Sequence, residues 1–571
     1  MSRYGSAARR WAMFSWLVVG LALPIAAKKD KSADPPEVAL GERLFLETRF
    51  AQFFRSFVAQ GHSVNDPLAP GDPVMSTTAT ATGAPLAGPF AGQSMNCRQC
   101  HLVDEQLGMP GGGMRTYNDF ARRSPIPDRV EDSKTITPRN SPPLVNASLA
   151  RDVGKQFHFD AEFASLEDLV SATLTGRNYG WRPGEQRQAI QHIARVIRED
   201  DGAGSLAGDF GNLSYAKVLA GTGPLPQEFR LPNEFRVNVF RASDDQILAA
   251  VNRLIAAYTE HLEFSRGKDG NFNLSPFDVF LDQNRLPKSP GKGESALTYS
   301  RRLLAQINQL ELRGTLLFVT RNPSTDNGQF QFHSQPFQFG AAELQGLKIF
   351  LREPQTLPAS AGELATGGIG NCVACHSAPN FTDFLFHNTG TAQLEYDGIH
   401  GAGAFHAIPI PDLATRSANP NAYLPATEIH PLAVEPFRGV PGASLPGVTD
   451  LGVWNIFGNP DFPKPQPFLT QILCQQFAPT PANCTPAQLL PRTIAIFKTP
   501  GLRDLSHSAP YMHTGQFDTL DDIINFYRTT SDMLRANILR NGARELSGIA
   551  LLPGDVSKLV AFLRSLNEDY E

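Results

Sequence analysis

The sequence is poor in charge. Only 19% of its 571 residues are Asp, Glu, Lys or Arg, and the net charge is −5. That balance excludes a protein that grips nucleic acid through its phosphates. Beyond residue 27 no stretch approaches the roughly 20 apolar residues that a membrane helix requires. There is no short-period internal repeat and there are few alternating strand patterns, so solenoids and β-rich folds are disfavoured. Collagen, coiled coil and general disorder are excluded as the main theme. What is plentiful is glycine and proline, 48 and 45 residues, which predicts long irregular connections between modest helices. The length predicts two or more domains, each with its own core.

The first 27 residues read as an export leader. Arg3, Arg9 and Arg10 precede a nearly uncharged run from Trp11 to Ala27, which ends in small residues before Lys28. An uncleaved anchor is the other reading, but Gly20 and Pro24 interrupt a run already marginal for a span. The expected mature protein is exported, soluble and periplasmic. Apolar spacing predicts helices over 42–57, 185–198, 298–312, 341–351 and 556–566. Another starts at Ser243, where Ser-Asp-Asp-Gln forms a capping box. Residues 61–93 have a loop composition. The expected fold is mainly α with large loops.

Two segments carry the chemistry. Cys97-Arg-Gln-Cys-His101 and Cys372-Val-Ala-Cys-His376 are both C-x-x-C-H. This spacing lets two thiols add to the vinyl groups of one haem while the adjacent imidazole ligates its iron. A redox C-x-x-C, a zinc half-site and coincidence are the competing readings, and two copies in an exported chain weigh against them. Cys474 and Cys484 remain, close together in a proline-rich stretch. In an oxidising compartment they are expected to pair and close a surface loop.

Further motifs follow in order: Ser275-Pro-Phe-Asp278, Glu343-Leu-Gln-Gly-Leu-Lys-Ile-Phe350, Phe386-His-Asn-Thr-Gly390, Phe497-Lys-Thr-Pro-Gly-Leu-Arg-Asp504 and Ala509-Pro-Tyr-Met-His-Thr-Gly515. With Gly41-Glu-Arg-Leu-Phe45 and Arg139-Asn-Ser-Pro-Pro-Leu-Val-Asn146 earlier, the series resembles the bacterial di-haem cytochrome c peroxidase and MauG family. The resemblance implies two cytochrome c-like haem domains, expected over 28–335 and 336–571 after a leader over 1–27. It implies a peroxidatic haem on Cys97, Cys100 and His101, and an electron-transfer haem on Cys372, Cys375 and His376. Family peroxidases place a methionine fourteen positions after the motif histidine, and MauG-like members place a tyrosine there. Here the histidine is His513 and the tyrosine is Tyr527. Thr519 caps a helix on which Leu520, Ile523, Ile524 and Tyr527 share one face. A core role for Tyr527 and ligation by Met512 are the rival readings. A phenolate ligand would favour the ferric state. The family also holds calcium between its domains, which carries over to Asn140 and the carbonyls of Ser508 and Pro510.

The sequence also departs from the pattern. Where the family has Phe-Trp-Asp-Gly-Arg, this chain has Phe157-His-Phe-Asp-Ala-Glu162. The relay tryptophan becomes Phe159, or His158 if one residue is inserted. The family's distal glutamine and catalytic glutamate align with Leu169 and Tyr179, neither of which is a carboxylate. Glu162, Glu167 and Asp168 are candidate substitutes. Residues 102–157 contain no histidine, which implies an open first haem unless Met109 or Met114 ligates it. Extra chain lies around 200–240, 285–340 and 392–495, enough to reshape access to a site.

The expected activity is reduction of hydrogen peroxide at the first haem, with electrons relayed through the second. Candidate catalytic residues are His101, Phe159 and His513, and the cofactors are two covalent haems c with a calcium ion. The electron source would be a cytochrome c, a copper protein such as a cupredoxin, or a protein side chain undergoing modification. A di-haem oxygenase of an apolar substrate and a non-enzymatic carrier or sensor are the alternatives.

Overall fold

The computed structural model describes residues 34–67, 78–79, 85–86, 96–97, 100–101 and 123–569, except 125, 128, 133, 150–153, 209, 222, 332 and 479. The leader expected over 1–27, Met109 and Met114 lie outside the described residues. The fold is mainly helical. Among the described residues, the strands form two antiparallel two-stranded ladders, Thr78–Ala79 with Pro85–Leu86 and Phe386–His387 with Phe497–Lys498, beside scattered single bridges. No described helix is long and apolar enough to cross a membrane.

Most expected helices form close to their predicted ends: Gln186–Glu199, Asp244–His261, Ala296–Leu312, Ala341–Leu351 and Pro553–Arg564. At Ser243 the capping box is complete, with the Gln246 amide donating to Ser243 Oγ at 3.2 Å and the Ser243 amide donating to Gln246 Oε1 at 2.9 Å. The helix expected over 42–57 is instead two helices, Pro36–Phe45 and Gln52–Ala59. Between them the Glu47 carboxylate accepts the Arg49 amide at 2.9 Å. It also takes the Arg49 guanidinium and the Tyr215 hydroxyl, while Arg43 and Arg49 both reach the buried Asp200. Side-chain bonds to the local backbone displace the helical ladder at this point.

Three apolar cores organise the chain. The first spans Val38 to Phe272 and takes in Cys97 and Cys100 at its edge. The second spans Phe277 to Leu566 and takes in Cys372. Their separation falls between Phe272 and Phe277, well before the boundary expected at 335, because Phe277, Phe280, Tyr299 and Leu303 pack with Phe339 and Leu347. The extra chain around 200–240 is no appendage either: Tyr215, Leu219 and Leu231 are fully buried in the first core.

Both haem-motif cores are built on the same helix crossing. Helix Pro36–Phe45 crosses Asp244–His261 at Gly41, where a Cβ would lie 2.1 Å from the Leu254 carbonyl oxygen and 2.9 Å from Tyr258 Cβ. Helix Ala341–Leu351 crosses Pro553–Arg564 at Gly346, where a Cβ would lie 1.9 Å from the Lys558 carbonyl oxygen and 2.8 Å from Phe562 Cβ. Only glycine permits either approach. Four residues on, Phe45 meets Tyr258 with ring centroids 5.2 Å apart, and Phe350 meets Phe562 at 5.1 Å. The (i, i+4) spacing puts glycine and phenylalanine on one face of each helix.

The third core belongs to the segment 392–495. Phe405, Leu451, Val453, Trp454, Ile456 and Leu469 fill it, with Ala161 and Phe386 contributed from outside. Cys474 and Cys484 form the expected disulfide at its edge.

Candidate haem-attachment sites and the space between them

Each C-x-x-C-H motif closes a tight turn with the same hydrogen bonds. His101 N donates to the Cys97 carbonyl at 3.0 Å and Cys100 N donates to it at 3.2 Å; His376 N donates to the Cys372 carbonyl at 2.7 Å and Cys375 N at 3.2 Å. The turn gathers both thiols and the imidazole of a motif at one place. Burial pushes the Cys97 thiol up to about 11 and the Cys372 thiol up to about 12, so both are neutral thiols at ordinary pH.

The His376 ring has one defined orientation. Its Nδ1 lies 2.9 Å from the Phe381 carbonyl, which can only accept, so Nδ1 carries the proton and Nε2 keeps its lone pair. Burial lowers the ring's proton affinity, which suits a neutral iron ligand. Burial, then the neighbouring His158, hold His101 down to about 4. The Pro142 backbone pulls weakly the other way without meeting Nδ1 in hydrogen-bond geometry.

A cavity of about 310 Å³ opens at the first motif. Cys97, Cys100 and His101 line it together with His158, Phe159 and Tyr179. Two thiols and an imidazole facing one largely apolar cavity match what a covalent haem requires. Tyr179, in the position of the family's catalytic glutamate, is buried and places its hydroxyl 3.4 Å from Cys97 Sγ. Leu169 packs beside Phe157 and Leu166.

Of the three candidate carboxylates, the structure brings one to this cavity's edge. Glu167 is exposed and Asp168 pairs with Lys464. Glu162 is buried, lies 2.9 Å from His158 Nδ1 and takes a two-pronged ion pair from Arg438, which itself lines the cavity. Burial alone would raise its carboxyl, but the Arg438 guanidinium and His158 hold it well below the usual carboxylate range. Glu162 is therefore held as a carboxylate at ordinary pH, against the His158 ring. Ala161, where the family motif has glycine, adopts a left-handed φ of 57°, and Glu162 stands where that motif has arginine. Arg438 comes from the third core. Asp450, also from that segment, takes Arg139 at 2.6 and 3.0 Å, while Arg139 reaches Asp160 at 2.7 Å. Arg438 and Asp450 carried no local signal in the sequence, since their partners lie hundreds of residues away.

The conserved-looking motifs of the C-terminal half explain one another. Ser275 and Asp278 cap the helix Pro276–Gln283 mutually, and Asp278 takes Arg503 through two bonds of 2.9 Å. His387 lies 2.8 Å from Asp383 and close to Cys375. The loop 497–515 crosses between the cores. Its His513 is buried, stacks on Phe497 at 3.6 Å and faces Phe159 at 6.3 Å. Burial holds the His513 ring down to about 3, with Asp450 opposing. Asn140 joins the same loop: its amide donates to the His513 carbonyl at 2.7 Å, and Nδ2 donates to Pro510 at 2.5 Å and Met512 at 3.3 Å. Met512 thus offers Asn140 its carbonyl, from a left-handed φ of 68°. Ser508 bonds the Asp504 carbonyl and lines the cavity.

Tyr527 lies on the expected helix, Leu520–Arg535, capped by Thr519. Leu520 and Ile524 are buried on its inner side. Tyr527 packs against Leu539, Leu546 and Ile549. Burial, then the Cys375 and Cys372 thiols beside it, push its phenol well above the ordinary value. The tyrosine and the second C-x-x-C-H motif therefore share one site.

No family model matches the chain. Over 201 residues it is 27% identical to the cytochrome-c peroxidase IdrP2 of Denitromonas iodatirespirans, covering 35% of this chain and 37% of that protein. Over 78 residues it is 38% identical to the cytochrome-c peroxidase IdrP2 of Pseudomonas sp. (strain SCT), covering 14% of this chain and 19% of the relative. The matched region thus spans little more than a third of these curated relatives at most. Among solved structures it is similar to the diheme peroxidase BthA from Burkholderia thailandensis E264, with 15% identity, a TM-score of 0.41, and coverage of 94% of this chain and 87% of that one. It is also similar to a MauG-like protein associated with microbial copper homeostasis, with 14% identity, a TM-score of 0.36, and coverage of 96% and 91%.

Proposed function

We propose, for a chain that belongs to the di-haem cytochrome c peroxidase and MauG-like family, that it is an oxidoreductase reducing hydrogen peroxide in the His101 cavity. Its electrons would arrive through the site of Cys372, Cys375, His376 and Tyr527. The observation that carries this reading is the pair of identically hydrogen-bonded C-x-x-C-H turns, each at the edge of its own core. Covalently bound haem supplies the redox chemistry at both places.

The chain's own groups set the conditions. His376 presents Nε2 because Phe381 holds its Nδ1 proton. In the first cavity His158 is the proton-moving group, oriented by the fixed Glu162 anion. Phe159, His513 and Phe497 form an aromatic path between the cores. Phenylalanine offers no readily oxidised stopping point, so electrons cross this span by tunnelling. Tyr527 would offer its phenolic oxygen to the iron held at the second motif, which would favour the ferric state there. Asn140 Oδ1 is buried without a hydrogen-bond partner while Nδ2 meets the Pro510 carbonyl; with its amide turned over, Asn140 would offer calcium an oxygen beside the Ser508 and Pro510 carbonyls. The protein is exported to the periplasm after loss of residues 1–27, and its donor is a small redox protein or a protein side chain.

Spectra of the purified ferric protein before and after stoichiometric peroxide test the reading. A five-coordinate haem that responds to peroxide is expected. Two six-coordinate haems with no response would replace the enzyme by a carrier. Stable oxygen binding by the reduced protein, with no peroxide response, would favour an oxygenase.

A further inference from the structure

The second core encloses a polar cluster that neither C-x-x-C-H site uses. His333, Asp504 and His507 have side chains only 3%, 0% and 3% exposed. His333 Nε2 lies 3.2 Å from Asp504 Oδ1, and His507 Nδ1 lies 2.9 Å from Asp504 Oδ2. The two rings are 4.2 Å apart at an interplanar angle of 31°. One ligand atom from each residue falls within 4.8 Å of the other two.

We propose that His333, Asp504 and His507 bind one divalent transition-metal cation, zinc by the chemistry of the set, with the Glu568 carbonyl beside them. Zinc bonds of about 2.0–2.1 Å in a tetrahedral shell put neighbouring ligand atoms about 3.3 Å apart. The two His–Asp separations, 3.2 and 2.9 Å, fall just short of that spacing, and the third lies within 4.8 Å. Two imidazoles and one carboxylate suit zinc and its neighbours, whereas calcium takes oxygen alone. A second observation points the same way. Asp504 Oδ1 is a buried carboxylate oxygen that accepts no hydrogen bond, in a residue 0% exposed. A buried anionic oxygen without a donor is costly, and a cation is the usual remedy. In the metal-free arrangement His333 Nε2 carries a proton donated to the Glu568 carbonyl at 3.0 Å. The cation takes that proton's place, so binding releases it to solvent.

The site joins segments distant in sequence. His333 sits in the irregular chain after helix Ala296–Leu312, Asp504 and His507 in the turn that leads to Ser508, and Glu568 beyond the last helix. Gln331 N reaches Asp569 at 2.8 Å and Asn567 Nδ2 reaches Gln335 at 3.0 Å, so the same segments are already drawn together. A structural cation would lock the turn at 504–507 within the loop 497–515. This proposal does not depend on peroxide chemistry.

The test is metal analysis of the full-length holoprotein, equilibrated with zinc sulfate and passed through gel filtration with a weak chelator. One zinc per chain beyond the haem iron is expected. His333→Ala and His507→Ala should each lose that zinc while keeping both haems. Zinc-edge absorption should show only nitrogen and oxygen ligands with imidazole scattering. A strong chelator should lower the melting temperature of the wild type and leave that of His333→Ala unchanged. If neither variant folds, the wild-type stoichiometry and edge spectrum decide. Retention of no zinc by the wild type, or undiminished zinc in both variants, overturns the proposal.

Discussion

Replacing Arg438 by alanine removes the guanidinium that neutralises Glu162. That carboxylate is 7% exposed, and among the described residues its other partner is His158, at 2.9 Å. Breaking a buried ion pair from one side costs about 3–5 kcal/mol when the remaining charge has no other partner. Here His158 remains in hydrogen-bond contact with the carboxylate and partly compensates, so a loss of about 2–3 kcal/mol is expected, or roughly 5–10 °C in the unit that contains the cavity. The pH dependence sharpens the test. In the wild type Glu162 is held below its unfolded value, so its contribution to stability is present above that value, about 4.3, and is lost as pH falls through the folded value. Without Arg438, burial raises the carboxyl, and its effect becomes a penalty that grows as pH rises. The gap between wild type and Arg438→Ala should therefore be widest near neutral pH and should narrow towards about pH 4. Adding Glu162→Gln should recover part of the lost stability and flatten the pH dependence. Melting of the holoprotein, followed by far-ultraviolet circular dichroism, reads all three proteins. An unchanged melting temperature for Arg438→Ala, or a double variant less stable than the single one, would refute the reasoning.

Three further outcomes follow from the packing and the second site. Gly346→Ala forces a methyl to within 1.9 Å of the Lys558 carbonyl oxygen; overpacking of this kind costs about 1–3 kcal/mol, and a rigid backbone neighbour places it at the upper end. Melting at the wild-type temperature would show that the helices can part. Removing the disulfide with Cys474→Ala and Cys484→Ala should cost about 2–3 kcal/mol through the short loop it closes. The loss should appear as faster hydrogen exchange in the third core, with both haem spectra intact; faster exchange throughout the chain would contradict an independent core. Tyr527→Phe should shift the spectrum and potential of the second haem and leave the first unaltered. An unchanged second haem would remove Tyr527 as a ligand.

What the sequence disclosed was local. The Ser243 capping box and the Thr519 cap are each written within a few residues and form as read, and the two C-x-x-C-H motifs each close a local hydrogen-bonded turn. The break at 46–51 was hidden because the groups that cause it, Asp200 and Tyr215, lie far along the chain. The shared helix crossing was on view but unread. Gly41 with Phe45 and Gly346 with Phe350 repeat one spacing, yet a two-residue pattern gains meaning only when the partner carbonyls of Leu254 and Lys558 are seen.

The segment 392–495 shows why length alone misled about insertions. By its position it separates the second C-x-x-C-H motif from the loop that follows. In space it builds a third core, sends Arg438 to the cavity of the first motif, and pairs Asp450 with Arg139 of the cavity wall. Glu162 stands where the family motif has arginine, and a buried carboxylate there is untenable alone. Arg438 makes it tenable, so the departure at 162 and the added segment form one change rather than two. The same ion pair holds Glu162 as the fixed partner of His158. Tyr179 stands where the resemblance leads one to expect a glutamate, and the His158–Glu162 pair lies at the edge of the same cavity, with its counter-charge supplied from the segment 392–495.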